Sequence, residues 1–137
     1  MDPKSFILLE SINTFFANET NSQALVNILE KRQGISLRHL EWFITNYSKT
    51  KNLTYTTQTG KVFTVHCAYK STLDGYSKKL FDPFCRAYKF DYEVPNSGAM
   101  TISTTVAQLN FIRWCITNNI IEYIIKNKDS LKTLKKT

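Results

Sequence analysis

Cations and aromatic side chains alternate between Phe63 and Phe90, and both residue types can bind a polyanion. Lysine and arginine neutralise phosphates, and an aromatic ring can stack on a nucleobase. We expect Tyr69 and Tyr76 to be the stacking residues, because the neighbouring phenylalanines are easier to bury. The predicted phosphate contacts are Lys70, Lys78, Lys79, Arg86 and Lys89, joined in the tail by Lys132, Lys135 and Lys136. The alternative is that this stretch packs in the core and that its lysines form an ordinary solvated rim.

Cysteine and histidine are too scattered to indicate a metal or a catalytic pair. Cys67, Cys85 and Cys115 form no CxxC motif, which argues against a zinc site or a disulfide framework. His66 adjoins Cys67, but neighbouring residues of a strand point to opposite faces. We therefore expect no bound metal, buried thiols and a reducing compartment.

No motif for a reaction is present in the chain. It contains neither the phosphate-binding GxxxxGK[ST] motif nor the dinucleotide-binding GxGxxG motif. Asp74 and Asp82 flank the basic cluster and could act as a nuclease pair. A simpler interpretation pairs Asp74 with Lys78 one helical turn away and makes Asp82 a turn residue before Pro83. We expect a protein that is not an enzyme and that needs no cofactor.

Positive charge is concentrated in the second half of the chain. The net charge is +7; residues 1–60 carry six Lys or Arg against five Asp or Glu, and residues 61–137 carry twelve against six. Such an asymmetry favours a negatively charged partner, although a lysine-rich genome composition would produce a similar excess. No run of about 18 apolar residues is present, so no membrane partner is expected.

Helical spacing dominates the first fifty residues, which must position part of any site. One helix is predicted from Asp2 to Ala17 and a second over residues 22–33. A third begins after Ser36 as its cap. Trp42 lies off the apolar stripe of this helix, and we expect it in the core rather than exposed as a contact.

Alternating residues predict strands in the middle of the chain. A β-hairpin is predicted over residues 53–69, with a turn at 58–60 and its second arm at 61–69. A short helix follows at 72–81. Residues 88–94 alternate as a half-buried strand does, and this strand could pair with the hairpin.

The last third of the chain predicts a central helix. Residues 95–101 form a loop, and Ser103 or Thr104 then caps a broad-faced helix that reaches residue 117. A lysine-rich tail occupies 126–137, either frayed or forming one helical turn. The predicted fold is therefore α+β in one domain over 1–137. It has a small antiparallel sheet of about three strands packed by several α-helices, with a long central C-terminal helix.

Three helices followed by a hairpin is also the element order of a winged helix. In that fold the third helix enters the major groove of DNA. Glu41 on the third helix disfavours phosphate approach, and the long C-terminal half has no place in a minimal winged helix. We keep this docking mode as a minor alternative.

Three segments together resemble a small protein family of nucleocytoplasmic large, or giant, DNA viruses. They are ISLRHLEWFITNYSKT at 35–50, GYSKKLFDPFCR at 75–86 and TTVAQLNFIRWCITNNIIEYI at 104–124. The resemblance covers roughly residues 35–125. It implies a viral protein of the virion or of the viral factory in the host cytoplasm, and it transfers no catalytic residue.

Two functions follow as expectations. The first is non-enzymatic binding of DNA or RNA in a large DNA virus, through backbone contacts that are largely independent of sequence. The second is a structural or assembly protein, in which the basic surface binds an acidic viral protein and exposed aromatics form a homo-oligomer interface.

Overall fold

Helices and two antiparallel hairpins form residues 1–128, the part of the chain that the computed structural model describes. The predicted α+β class is confirmed. The predicted contacts Lys132, Lys135 and Lys136 lie outside the described residues. The helices are α1 Pro3–Phe16, α2 Glu19–Leu29, α3 Leu37–Trp42, α4 Ser48–Lys51, α5 Val65–Tyr76, α6 Lys78–Phe81, α7 Val106–Thr117 and α8 Ile120–Lys126, with a π-helical turn at Phe43–Tyr47. The strands are β1 Thr54–Thr56, β2 Val62–Thr64, β3 Phe90–Glu93 and β4 Thr101–Thr104.

Polar side chains cap the first three helices. The Asp2 carboxylate accepts a hydrogen bond from the Ser5 amide at 2.8 Å, and the Asn18 side chain accepts one from the Asn21 amide at 3.1 Å. These bonds satisfy amides that have no partner within the helix. Ser36 caps α3 as predicted. The second helix begins at residue 19, three residues earlier than predicted, because Asn18 supplies the cap.

The β1–β2 hairpin is shorter than predicted. Its register pairs Tyr55 with Phe63, and the ladder ends where the Val65 amide donates to the Leu53 carbonyl. The prediction that the second arm continues to Tyr69 is wrong, because α5 begins at Val65. Val65 and Tyr69 are one helical turn apart and both are buried, so the helical period buries both side chains on one face.

The predicted short helix at 72–81 is replaced by the end of α5 and by α6. Ser77 separates the two helices with a positive φ of 78°. Positive φ is uncommon for a residue with a β-carbon and marks a sharp change of chain direction. Lys78 and Lys79 therefore start a new helix instead of continuing the old one.

The strands form two separate sheets rather than one of about three strands. β3 pairs with β4 in the register Phe90 opposite Thr104 and does not pair with the first hairpin. Residues 95–100 form the predicted loop, but residue 101 already belongs to β4, a strand that the sequence did not predict. The isoleucine and the two threonines of β4 are β-branched residues, which are enriched in strands.

Helix α7 lies at the centre of the core, as predicted. Its cap is Thr105, whose hydroxyl accepts from the Gln108 amide at 3.1 Å, so neither Ser103 nor Thr104 is the cap. Helices α1, α2, α6 and α8 all contact α7. The buried residues of this helix are Val106, Ala107, Leu109, Asn110, Phe111, Ile112 and Cys115. Elements from both halves of the chain therefore meet at one helix, which fixes their relative positions.

Candidate functional site

A cleft of about 390 Å³ lies where the start of α1 meets the α5–α6 turn and the segment before β3. Lys4 of α1, Lys79 of α6 and Arg86 line it together with Tyr88. We call this site the α1 cleft and define it by these four residues. Two of its cations, Lys79 and Arg86, belong to the basic cluster that the sequence predicted.

Within the described part of the chain, no carboxylate forms an ion pair with a cation of the α1 cleft. Among residues 1–128, none of Lys4, Lys79 and Arg86 forms an ion pair. The ion pair observed in this part of the chain joins Arg32 to Glu30, and neither residue lines the α1 cleft. Unpaired cations that share a concave surface raise the local concentration of anions. The α1 cleft therefore has the electrostatic character of an anion-binding site.

Asp2 is the acidic residue that lines the α1 cleft, and it is already engaged. Its carboxylate caps α1 through the Ser5 amide. Hydrogen bonding to Ser5 lowers the pKa of Asp2, and the nearby charge of Lys79 lowers that pKa further. The carboxylate stays ionised at neutral pH, and three cations outnumber it.

Tyr88 presents an exposed aromatic ring at the α1 cleft. Its side chain is 63% exposed, and its ring stacks on Phe90 with centroids 6.3 Å apart and planes 12° apart. Such a ring, held by a neighbour and open to solvent, can stack on a nucleobase. Tyr88 was not among the predicted stacking residues, although it lies within the basic-aromatic stretch.

The prediction that Tyr69 stacks on a ligand is wrong. Tyr69 is 7% exposed, and its ring contacts Phe81, Phe111 and Trp114 in the core. Burial raises the pKa of Tyr69 to about 12. Tyr76 fits its predicted role better, because it is 37% exposed while its ring stacks on Phe81.

Lys70, Lys78 and Lys89, the other predicted cations among residues 1–128, do not line the α1 cleft. Lys70 lies on α5 near His66. Burial is the larger cause of the lowered pKa of His66, and the charges of Lys49 and Lys70 lower it further. Lys78 lies near Cys85, where its charge partly offsets the rise in thiol pKa that burial causes. Lys89 is exposed. Of the cations predicted between Phe63 and Phe90, the structure brings Lys79 and Arg86 together in the α1 cleft and leaves Lys70, Lys78 and Lys89 outside it.

Lys4 is a member of the α1 cleft that the sequence could not identify. It stands 75 positions before Lys79 (79 − 4), and no local pattern links the two. Packing of α1 on α7 brings them to one surface. The proximity of Lys4 to Lys79 is therefore visible only in the folded structure.

The thiols differ from the expectation that they are buried. Cys115 is buried, Cys85 is half-buried and Cys67 is exposed on α5. Burial raises the pKa of the Cys115 thiol well above its ordinary value. Within residues 1–128, no three side chains of His, Cys, Asp or Glu come together as metal ligands would.

Trp42 is half-buried and packs against the core. This position is closer to the predicted core placement than to an exposed contact. Its ring makes tilted contacts with His39 and Tyr47.

Over the described part of the chain, residues 1–128, no helix has both the length and the apolarity needed to cross a membrane.

Comparison with known proteins identifies related sequences but no activity. A family model described as a family of unknown function (DUF7197) matches residues 2–137. An uncharacterised protein of Acanthamoeba polyphaga mimivirus is 37% identical over 147 residues, an alignment that covers 98% of this chain and 56% of the relative. The chain thus spans about half the length of the curated relative it matches. No solved structure matches the chain. The predicted resemblance to a giant-virus family is confirmed.

Proposed function

The chain belongs to this giant-virus family of unknown function, and we propose that it is a non-enzymatic nucleic-acid-binding protein. It contacts the phosphate backbone of DNA or RNA through the α1 cleft. In this proposal it acts on the viral genome or its transcripts, in the virion or in the viral factory of the host cytoplasm.

The observation that supports this proposal is the convergence of Lys4, Lys79 and Arg86 on one cleft, where none of them forms an ion pair with a carboxylate of residues 1–128. Lys4 is distant in sequence from Lys79 and Arg86, which lie seven residues apart. Lysine and arginine that neutralise phosphates release condensed counterions, which favours binding irrespective of base sequence. The exposed ring of Tyr88 adds a surface on which a base can stack.

A charge-reversal pair tests the proposal. Lys79→Glu with Arg86→Glu removes two cations from the α1 cleft, and each reversal lowers the net charge by 2, from +7 to +3 for the pair. Lys51→Glu with Lys61→Glu is the matched control. It reaches the same +3 with two exposed lysines that do not line the cleft.

An electrophoretic mobility shift at low salt separates the possible results. We expect the control variant to retain most of the wild-type shift and the cleft variant to lose it. Equal losses in both variants would mean that net charge alone drives binding, and the α1 cleft would then have no special role. A wild-type protein that fails to shift DNA or RNA at low salt would refute the proposed function.

An assembly role is the second candidate, supported by two exposed apolar side chains on α1. Phe6 is 56% exposed and Ile7 is 69% exposed. Apolar side chains of this size on a surface are common at protein interfaces. The half-buried position of Trp42 gives this candidate no further support.

Light scattering distinguishes assembly from nucleic-acid binding. An assembly protein would form an oligomer that survives nuclease treatment. The double variant Phe6→Ser with Ile7→Ser would dissociate that oligomer. We expect instead that nuclease-treated protein is monomeric and that this pair leaves the mobility shift intact.

A further inference from the structure

A second concave site is lined by residues of the same helix α1, further along the chain from those of the α1 cleft. Ser11 and Phe15 of α1, Tyr76 at the end of α5, and Arg113, Trp114 and Thr117 of α7 line a pocket of about 390 Å³. We call it the Arg113 pocket. Its volume falls in the range of small-molecule sites, roughly 300–1,000 Å³.

Arg113 gives this pocket an unpaired positive charge. Its guanidinium donates to the Ser11 hydroxyl at 2.7 Å and to the Asn110 side-chain oxygen at 2.8 Å. A guanidinium has five N–H donors, so these two bonds leave three. No carboxylate lines the pocket among residues 1–128, and Arg113 forms no ion pair there.

Aromatic rings form the other wall of the Arg113 pocket. Tyr76 is partly exposed, and its stacking on the buried Phe81 at 5.9 Å fixes the orientation of its ring. Trp114 and Phe15 are half-buried. A positive charge beside aromatic surfaces suits a ligand that has a planar ring and an anionic group, which is the chemistry of a nucleotide.

Two structural elements join the Arg113 pocket to the α1 cleft. The turn that holds Tyr76 and Lys79 presents Tyr76 to the pocket and Lys79 to the cleft. Helix α1 presents Lys4 to the cleft and Ser11 to the pocket, seven residues or about 10 Å further along its axis.

We propose that the Arg113 pocket takes one nucleotide of a single strand whose neighbouring phosphates lie in the α1 cleft. The inference rests on the proposed function and specifies its substrate as single-stranded nucleic acid. The bases of a duplex are paired and stacked, so they cannot enter the pocket without unpairing. Duplex would therefore use the α1 cleft alone and bind more weakly.

Two variants of the pocket test this inference. Tyr76→Ala removes the stacking ring. Thr117→Trp leaves the aromatic and cationic side chains of the pocket in place. Because Thr117 is exposed, the larger side chain fills the pocket without disturbing the core packing. Circular dichroism and thermal unfolding check that both variants are folded.

Fluorescence anisotropy measures the affinity of each protein for a labelled ten-nucleotide DNA strand and for the same strand in duplex. We expect wild type to prefer the single strand, and each variant to bind it roughly 5- to 150-fold more weakly, as for loss of one stacked base. Affinity for duplex should not change. A mononucleotide should compete weakly, because it lacks the phosphates that occupy the α1 cleft.

The outcomes separate this inference from the proposed function. Pocket variants that bind the single strand like wild type would overturn the inference while leaving the α1 cleft intact as a backbone site. A mononucleotide that competes as well as the oligonucleotide would also overturn it, since the pocket would then take a free nucleotide. Wild type that binds neither strand form would refute the proposed function as well.

Discussion

Asn110 connects the basic turn to the core through two hydrogen bonds. Its side chain is 2% exposed, its amide donates to the Leu80 carbonyl at 2.8 Å, and its oxygen accepts from Arg113. Leu80 follows Lys79 directly, so this bond anchors α6 on α7. The position of the α1 cleft thus depends on a buried polar residue that does not line it.

Asn110→Leu should lower the free energy of unfolding by about 1–3 kcal/mol, because it leaves a largely buried carbonyl without its donor. Urea unfolding followed by circular dichroism measures the change. Asn13→Leu is the control, since its exposed amide makes no hydrogen bond among the described residues, and it should change stability by less than about 0.5 kcal/mol. Equal effects of the two variants would contradict this role for Asn110.

Buried tyrosines predict a loss of stability at alkaline pH. Burial raises the pKa of Tyr69 and of Tyr92 to about 12 each, from an ordinary 10.0. Below pH 10 both phenols are neutral in the folded and the unfolded chain. Above it only the unfolded chain ionises, so stability is lost progressively as the pH rises from 10 towards 12.

Urea unfolding at pH 9 and at about pH 11.5 measures this loss. The Tyr69→Phe variant should lose less free energy over the interval than wild type, because one raised pKa has been removed. Lysine titration is common to both proteins and cancels in the comparison. An identical loss in the two proteins would contradict the assignment to Tyr69.

At the scale of elements, the sequence predicted helices better than strands. Capping residues such as Asp2 and Ser36 mark helix starts locally, so those starts were found. The apolar residues from Val62 to Tyr69 fit both the alternating period of a strand and the period of a helix. In the folded chain Val65 and Tyr69 are both buried on one face of α5, so the helix forms. Strand β4 was missed because its four residues lie next to a stronger helical pattern.

The cap of α7 gives a prediction at the element scale. Thr105→Ala removes the hydroxyl that accepts from the Gln108 amide, and it should cost about 1 kcal/mol of stability. Thr105→Ser retains a capping hydroxyl and should cost much less. Thermal unfolding compares the two variants, and a Ser variant as unstable as the Ala variant would argue that the methyl group, not the cap, matters.

At the scale of the whole molecule, helix α1 lines both of the positively charged concave sites, the α1 cleft and the Arg113 pocket. The sequence predicted Lys79 and Arg86 because they lie close together in the chain. It could not predict Lys4 or Arg113, because packing of α1 and α7 brings them to the same side as the α5–α6 turn. The uneven charge of the two halves favours a negatively charged partner but does not identify the surface that would bind it.

The salt dependence of binding tests the α1 cleft most directly. Three phosphate contacts to duplex DNA, which uses the α1 cleft alone, predict a slope of about −2.7 for the logarithm of affinity against the logarithm of salt concentration, or roughly a 40-fold loss between 50 and 200 mM. The Lys51→Glu, Lys61→Glu control should keep this slope, and Lys79→Glu with Arg86→Glu should bring it above about −1. A cleft variant whose slope equals that of wild type would contradict the account.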